Sequence, residues 1–221
     1  MGTEPLNDPL YERRRRRLIE AISEKAGVGL EVLRAFDMVP RHAFLPDAVR
    51  HRAYEDVALP IGYGQTASQP SLQALYMATL KLQPKDRVLE VGTGSGYQTA
   101  VLSHLVEHVY SIDRIKELTV RARAALDTLR INNVALLTGD GTVGWTRYSP
   151  YDAILVAAAA PSPPQPLIDQ LATGGRLLIP LGDRSEQRLM LFRKTPAGVD
   201  TEEITTCSFV PLLGRFGWPE G

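Results

Sequence analysis

Apolar positions along the chain follow two periods in turn. Leu10 to Lys25 and Leu30 to Met38 carry apolar residues at helical spacing, and Val39-Pro40 closes the second run. Arg41 to Pro46 reads as an extended connector bounded by proline. Ser71 to Leu82 is helical again, with Leu72, Leu75, Tyr76, Thr79 and Leu80 on the expected inward face and Pro70 in the first turn. From residue 87 onward, short apolar strands alternate with helices. The strands are Arg87 to Val91, His108 to Ile112, Val134 to Thr138, Asp152 to Val156 and Arg176 to Ile179. The helices between them are Tyr97 to Leu105, Ile115 to Arg130 and Leu167 to Leu171. Leu189 to Arg193 and Cys207 to Leu212 read as two further strands, an antiparallel pair at the sheet edge. Asp152 to Val156 is almost wholly apolar, as a central parallel strand buried on both faces should be. This order predicts an α/β fold: a doubly wound, mostly parallel, seven-stranded sheet with right-handed crossovers and an N-terminal helical extension. Residues 1–82 supply the helices and a long loop and residues 83–221 the sheet, as one compact unit.

Two stretches interrupt the periodicity. After the first strand, Gly92-Thr93-Gly94-Ser95-Gly96 forces a turn that side chains would obstruct, and a helix follows at Tyr97. A strand, glycine turn and helix bring a ligand close to backbone amides at a helix N-terminus, or simply make a tight connection. The spacing is GxGxG, which is neither the dinucleotide GxGxxG nor a P-loop. The second stretch, Ala53 to Pro70, is long and reads as irregular, with Pro60, Gly62 and Gly64 followed by polar Gln65, Thr66, Ser68 and Gln69. Loops of that length are functional or disordered, and its aromatic and apolar residues argue for function. Locally, Ser68 reads equally as a helix-capping hydroxyl and as a functional one.

Composition narrows the field. With 221 residues, 44% of them hydrophobic, the chain supports one sizeable core. Its 25 basic and 25 acidic residues balance, so neither nucleic acid nor an anionic membrane is an expected partner. Arg13 to Arg17 form a basic run, but on a helix they fan around most of the circumference, which favours a solvated helix end over a binding stripe. The single cysteine, Cys207, excludes an internal disulfide and fits a cytoplasmic location. No apolar run nears the ~20 residues of a membrane span. No metal is expected, since His104 and His108 lie four apart without the glutamate of a helical zinc motif.

Acids end two successive strands beside the glycine turn. Asp113 suits a ribose diol, because a carboxylate accepts from vicinal hydroxyls, and Asp140 in Gly139-Asp140-Gly141 suits an adenine amino group. Singly, Asp113 reads as well as a helix cap and Asp140 as a turn residue. Together with Val88 to Gly96 they resemble the S-adenosyl-L-methionine site of class I methyltransferases, with their Rossmann-like sheet. Gly64-Gln65-Thr66-Ala67-Ser68-Gln69-Pro70, Leu89 to Ala100, Gly139-Asp140-Gly141 and Phe209-Val210-Pro211-Leu212 together resemble the protein-L-isoaspartate O-methyltransferase family, in the same order over roughly residues 35 to 213. Ala67 departs from the larger aliphatic residue usual there, and the arginine run and the tail after Leu213 fall outside the likeness.

The resemblance implies methyl transfer from S-adenosyl-L-methionine to the free α-carboxylate of L-isoaspartyl residues in damaged proteins and peptides, a repair reaction carried out by a monomer. It implies a cofactor site of Gln65, Thr66, Ala67, Glu90, Gly92, Thr93, Gly94, Gly96, Asp113, Arg114, Asp140 and Gly141. Ser68 and Thr66 become the catalytic candidates, and Ser68, Val210, Pro211 and Leu212 border the substrate. The chemistry agrees. A carboxylate of pKa about 4 is already ionised at neutral pH and needs no general base, and no histidine lies between His51 and His104. Ala157 to Ala160 stand where an amine methylase would carry polar acceptors, which argues against nitrogen as nucleophile. A small-molecule O-methyltransferase and a non-catalytic cofactor-binding module are the alternatives.

Overall fold

The computed structural model describes residues 8–25, 27–183 and 185–219. Helices α1 (Pro9–Ser23), α2 (Leu30–Met38) and α3 (Asp47–Arg50) lead into a small antiparallel hairpin, β1 (Leu59–Gly62) and β2 (Gln65–Ala67), and then helix α4 (Pro70–Leu80). The sheet follows as β3 (Arg87–Val91), α5 (Tyr97–Ser103), β4 (His108–Asp113), α6 (Lys116–Thr128), β5 (Val134–Thr138), β6 (Tyr151–Val156), α7 (Gln165–Asp169), β7 (Leu171–Gly182), β8 (Gln187–Thr195) and β9 (Gly198–Cys207). Its strand order is β5-β4-β3-β6-β7-β8-β9. The pairs from β5 to β7 are parallel, and β8 and β9 continue antiparallel. The chain runs outward from β3 to β5 and restarts on the other side of β3 with β6. The order therefore reverses between β3 and β6, and the crevice outside their carboxyl ends is where such a sheet takes its ligand.

Alternation along the central strands builds two cores. Val88, Val109, Ala153 and Leu155 face one way and pack with α1, α2, α4, α5 and α6. Leu89, Val91, Tyr110, Ile112, Ile154 and Val156 face the other way and pack with Leu167 of α7. The sheet is thus covered on both faces, as a parallel sheet requires. In the arginine run, Arg14 donates to the carbonyl of His51 at 2.9 Å and Arg15 pairs with Asp37 at 3.2 Å.

Several sequence expectations need correction. Arg41–Phe44 is a 3₁₀ turn rather than an extended connector, and Arg41 is fully buried within it. The stretch from Ala53 to Pro70 contains the β1–β2 hairpin, whose turn rests on positive φ at Gly62, Tyr63 and Gly64. The buried face of α4 is Gln73, Ala74, Tyr76, Met77 and Leu80, while Leu72, Leu75 and Thr79 are only partly covered. The last strand is Gly198–Cys207, and Phe209 to Leu212 lie beyond it. The reason is exposure. An edge strand with one open face reads as polar, whereas the apolar Phe209 to Leu212 cover the crevice. His104 ends α5 and His108 opens β4, so the two share no helix.

Candidate active site

A cleft opens at the predicted crevice, with about 800 Å³ of space between atoms including its mouth. Its floor is the glycine turn. Gly92, Gly94 and Gly96 all take positive φ, at 100°, 54° and 86°. At Gly96 a side chain is also excluded by space, because a Cβ there would sit 2.8 Å from the Cβ of Ala122 on α6. The turn is tied to the next strand: the backbone N–H of Gly94 donates to Asp113 Oδ2 at 2.7 Å, and Ile115 donates to Asp113 Oδ1 at 2.9 Å. Burial raises the Asp113 carboxyl above its usual value, against the pull of those two N–H groups and Arg114.

The roof is the hairpin. Ile61 of β1 reaches within 3.3 Å of where a Cβ on Gly94 would stand, so the flap lies closed over the turn. Gln65, Thr66, Ala67 and Ser68 line the cleft from this side, Thr66 exposed and Ser68 part-buried. Gln69, not Ser68, is the N-cap of α4, and the first-turn N–H of Ser71 donates to Asp56 Oδ1 at 2.8 Å, so the capping role considered for Ser68 is not the one it plays. Behind the flap stands Arg41. Its Nη1 donates to the carbonyls of Ala53 (2.9 Å) and Glu55 (3.2 Å), and its Nη2 to those of Val57 (3.2 Å) and Ser68 (3.0 Å). One guanidinium thus gathers four points of a loop that otherwise has little regular structure. Burial pulls its pKa below the usual arginine value.

The third wall is Val210 to Leu213, laid alongside the end of β6. Ala159 N–H donates to Val210 O at 2.9 Å, and Leu212 N–H to Ala159 O at 2.7 Å. The tail after Leu213 holds this wall in place. Trp218 N–H donates to Leu212 O at 2.8 Å and its indole Nε1 to Ala159 O at 3.1 Å.

Of the residues expected from sequence, Gln65, Thr66, Ala67, Ser68, Gly92, Thr93, Gly94, Asp113, Arg114, Gly141, Val210, Pro211 and Leu212 come together on the cleft. Three do not. Gly96 packs on Ala122 instead. Asp140 spends its carboxylate on its own turn and the tail: Oδ1 accepts from Thr142 N and Oγ1, and Oδ2 from Arg215 N at 2.8 Å. Those bonds outweigh burial and hold it below the usual carboxylate range. Glu90 lies beneath the floor, wholly buried. It accepts from Gln98 Nε2 at 3.0 Å, from Ser111 Oγ at 2.6 Å and from Thr99. Burial lifts its carboxyl to about 7. Sequence reasoning missed Ile61, Gln73, Gln98 and Arg41. The signal for the two glutamines was there, as polar residues on otherwise buried helix faces.

The donor chemistry of the cleft fits S-adenosyl-L-methionine. Glycine-only backbone at Gly92 and Gly94 permits close approach, Asp113 borders the floor where a ribose would lie, and Gly141 touches Val91 too closely to admit any side chain. Fold and cleft together define an S-adenosylmethionine-dependent methyltransferase of the Rossmann-like class. The sequence model of the protein-L-isoaspartate(D-aspartate) O-methyltransferase family (PCMT) matches residues 13–217. The chain belongs to that family. It is 50% identical to protein-L-isoaspartate O-methyltransferase 2 of Geotalea uraniireducens, over 92% of this chain and 95% of that protein. It is 44% identical to the protein-L-isoaspartate O-methyltransferase of Dictyoglomus thermophilum, over the full length of both. Among solved structures, a protein-L-isoaspartate O-methyltransferase superposes with TM-score 0.85 at 31% identity, covering 92% of this chain and 67% of that one. A Plasmodium falciparum protein assigned to the same activity, in complex with S-adenosyl-L-homocysteine, superposes with TM-score 0.80 at 25% identity, covering 90% and 98%. Among the described residues no helix is long and apolar enough to cross a membrane, and no cluster of three or more His, Cys, Asp or Glu could hold a metal.

Proposed function

We propose that this chain transfers a methyl group to the free α-carboxylate of L-isoaspartyl residues in damaged proteins and peptides, and that Ser68 orients that carboxylate. S-adenosyl-L-methionine supplies the activated methyl group when bound. The observation that carries the reading is the make-up of the cleft around Ser68. Its ionisable lining residues, among those described, are Asp113 and Arg114 beside the glycine turn, and no His or Lys stands by to act as a base. An acceptor that must lose a proton would be stranded there, whereas a carboxylate arrives ionised. The Ser68 hydroxyl makes no hydrogen bond to another described residue, so it is available to donate to one carboxylate oxygen while the other attacks. Thr66 and Gln65 frame it from β2. The hairpin over the glycine turn would help to keep water from a step in which opposite charges neutralise each other. The wall of Val210 to Leu212 borders the peptide.

We place it in the cytoplasm, as a monomer acting on protein rather than nucleic acid; the balanced charge supports the choice of protein over nucleic acid, and the lone cysteine fits a reducing compartment. Transfer of labelled methyl to an isoaspartyl peptide, with the normal aspartyl peptide of the same sequence as control, tests the function. Label on the first and not the second is expected, and equal labelling of both would overturn the reading. Ser68→Ala should lower turnover at least ~100-fold, as loss of a group acting at the reacting centre does, while cofactor affinity stays; an equal loss of both would make Ser68 a fold residue.

A further inference from the structure

Two buried amide oxygens point to the group that fills the remaining end of the cleft. Gln98 and Gln73 both line it, at 5% and 4% exposure, yet the Oε1 atom of each is buried without a hydrogen-bond partner. For Gln98 the orientation is fixed from below. Its Nε2 donates to Glu90 Oε1 at 3.0 Å, so turning the amide over would set oxygen against carboxylate. Gln98 sits in the first turn of α5, directly after the glycine turn, and Gln73 sits one turn into α4, directly after Ser68. An unpaired buried acceptor is costly, so a pair of them on one cleft marks a place built for a hydrogen-bond donor.

The occupant follows from what the cleft must hold, on the reading of the proposed function. The acceptor carboxylate offers no donor and would be repelled. Ribose and adenine belong with Asp113 and Gly141, at the ends of β4 and β5, away from α4. The one donor left on the methyl donor is the α-ammonium of its methionyl arm, with three N–H groups to place. A cation there would also favour the ionised form of Glu90, which accepts from Gln98 Nε2 just behind the cleft. We infer that Gln98 and Gln73 accept hydrogen bonds from the α-ammonium of the methionyl arm, and that Glu90 holds the Gln98 amide in the orientation this needs.

The test compares two ligands by calorimetry on the full chain, without any acceptor peptide. S-adenosyl-L-homocysteine carries the ammonium; 5′-S-(3-carboxypropyl)-5′-thioadenosine keeps the carboxylate and lacks it. Wild-type protein should bind the first more tightly by on the order of tenfold or more, the range for hydrogen bonds to a charged group. Gln98→Met keeps the side-chain length and removes the acceptor, and should narrow that gap to about twofold, mainly by weakening the first ligand. Gln73→Met, on a different helix, should narrow it in the same sense and keeps the test standing if Gln98→Met does not fold. A folded variant in which both ligands weaken equally, or in which the gap is unchanged, overturns the inference while leaving the cofactor reading intact. Wild-type protein that binds neither ligand overturns the proposed function, and this inference with it.

Discussion

Arg41→Lys is the most direct test of how the catalytic loop is held. The guanidinium is wholly buried and donates to four carbonyls through two nitrogens. It also stands 5.7 Å from the centre of the Tyr97 ring. A lysine ammonium keeps the charge but offers three N–H groups from a single atom, so at least one carbonyl loses its donor and the others lose geometry. A buried carbonyl left unpaired costs about 1–3 kcal/mol. One such loss, together with weaker bonds to the remaining carbonyls, gives about 2–4 kcal/mol for the lysine variant. For a chain of this length that lowers the melting temperature by roughly 4–16 °C. Arg41→Ala should cost more, since it also leaves a cavity. The assay pairs thermal melts with steady-state kinetics measured well below the melting point. Turnover should fall because the Ser68 carbonyl is one of the four acceptors that Arg41 anchors, while S-adenosyl-L-homocysteine affinity changes little, since none of the four carbonyls belongs to the glycine turn. A lysine variant that melts with the wild type and turns over normally would show that the fork of donors is not what holds the loop.

Three further perturbations follow from the same geometry. Burial raises the Glu90 carboxyl from 4.5 to about 7 in the folded state. The folded chain therefore binds that proton more tightly than the unfolded chain. Its contribution to stability is fully present below the unfolded value and is lost as pH rises from about 4.5 through 7, about 3 kcal/mol in all. Denaturant titrations of Glu90→Gln against wild type should show the variant's relative stability improving with pH across that window; parallel curves would refute the assignment. Asp113→Ala removes the acceptor for Gly94 and Ile115 N–H and should weaken S-adenosyl-L-homocysteine by about 1–3 kcal/mol, with unchanged affinity in calorimetry removing Asp113 from the site. Gly96→Ala must take φ of 86° and meet Ala122 at 2.8 Å, so it should destabilise by about 1–3 kcal/mol, and a melt equal to wild type would mean that α6 yields easily.

The sheet was legible because its strands are buried on both faces and read as apolar runs, and the glycine turn because few other residues tolerate its backbone. The acids after β4 and β5 could be placed but not their bonds. Nothing in the sequence says that Asp140 turns towards Arg215, because that contact depends on a tail 75 residues away. Glu90 looked like a cofactor ligand because it adjoins the turn, but the pleat puts it on the same face as Val88, under α5, where Ser111 is its register partner. Arg41 was invisible for a different reason. A buried arginine among prolines and aromatics reads as a connector, and its role lies in carbonyls 12 to 27 positions away, which carry no side-chain signature. The strand at the edge was displaced because its polar, exposed residues resemble a loop, while the apolar wall after it resembles a strand.

One electrostatic arrangement runs through these observations. The groups that meet the charged ends of the two ligands in the proposed site are neutral: the Ser68 hydroxyl at the acceptor carboxylate, and the amide oxygens of Gln98 and Gln73 at the ammonium. The ionisable groups stand one layer back, Arg41 behind Ser68 and Glu90 behind Gln98. A cation in direct contact with the acceptor carboxylate would stabilise the ground state of the nucleophile and slow its attack. The same charge at one remove still favours an anion at Ser68 over a neutral ligand, but leaves both carboxylate oxygens free of a salt bridge. By the same logic an acid touching the sulfonium would favour the donor before transfer over the product after it, whereas Glu90 acts on the ammonium, whose charge does not change in the reaction. Binding energy is thereby placed on parts of the two ligands that are the same before and after the methyl moves, and the charge-neutralising centre is left to proximity and the absence of water.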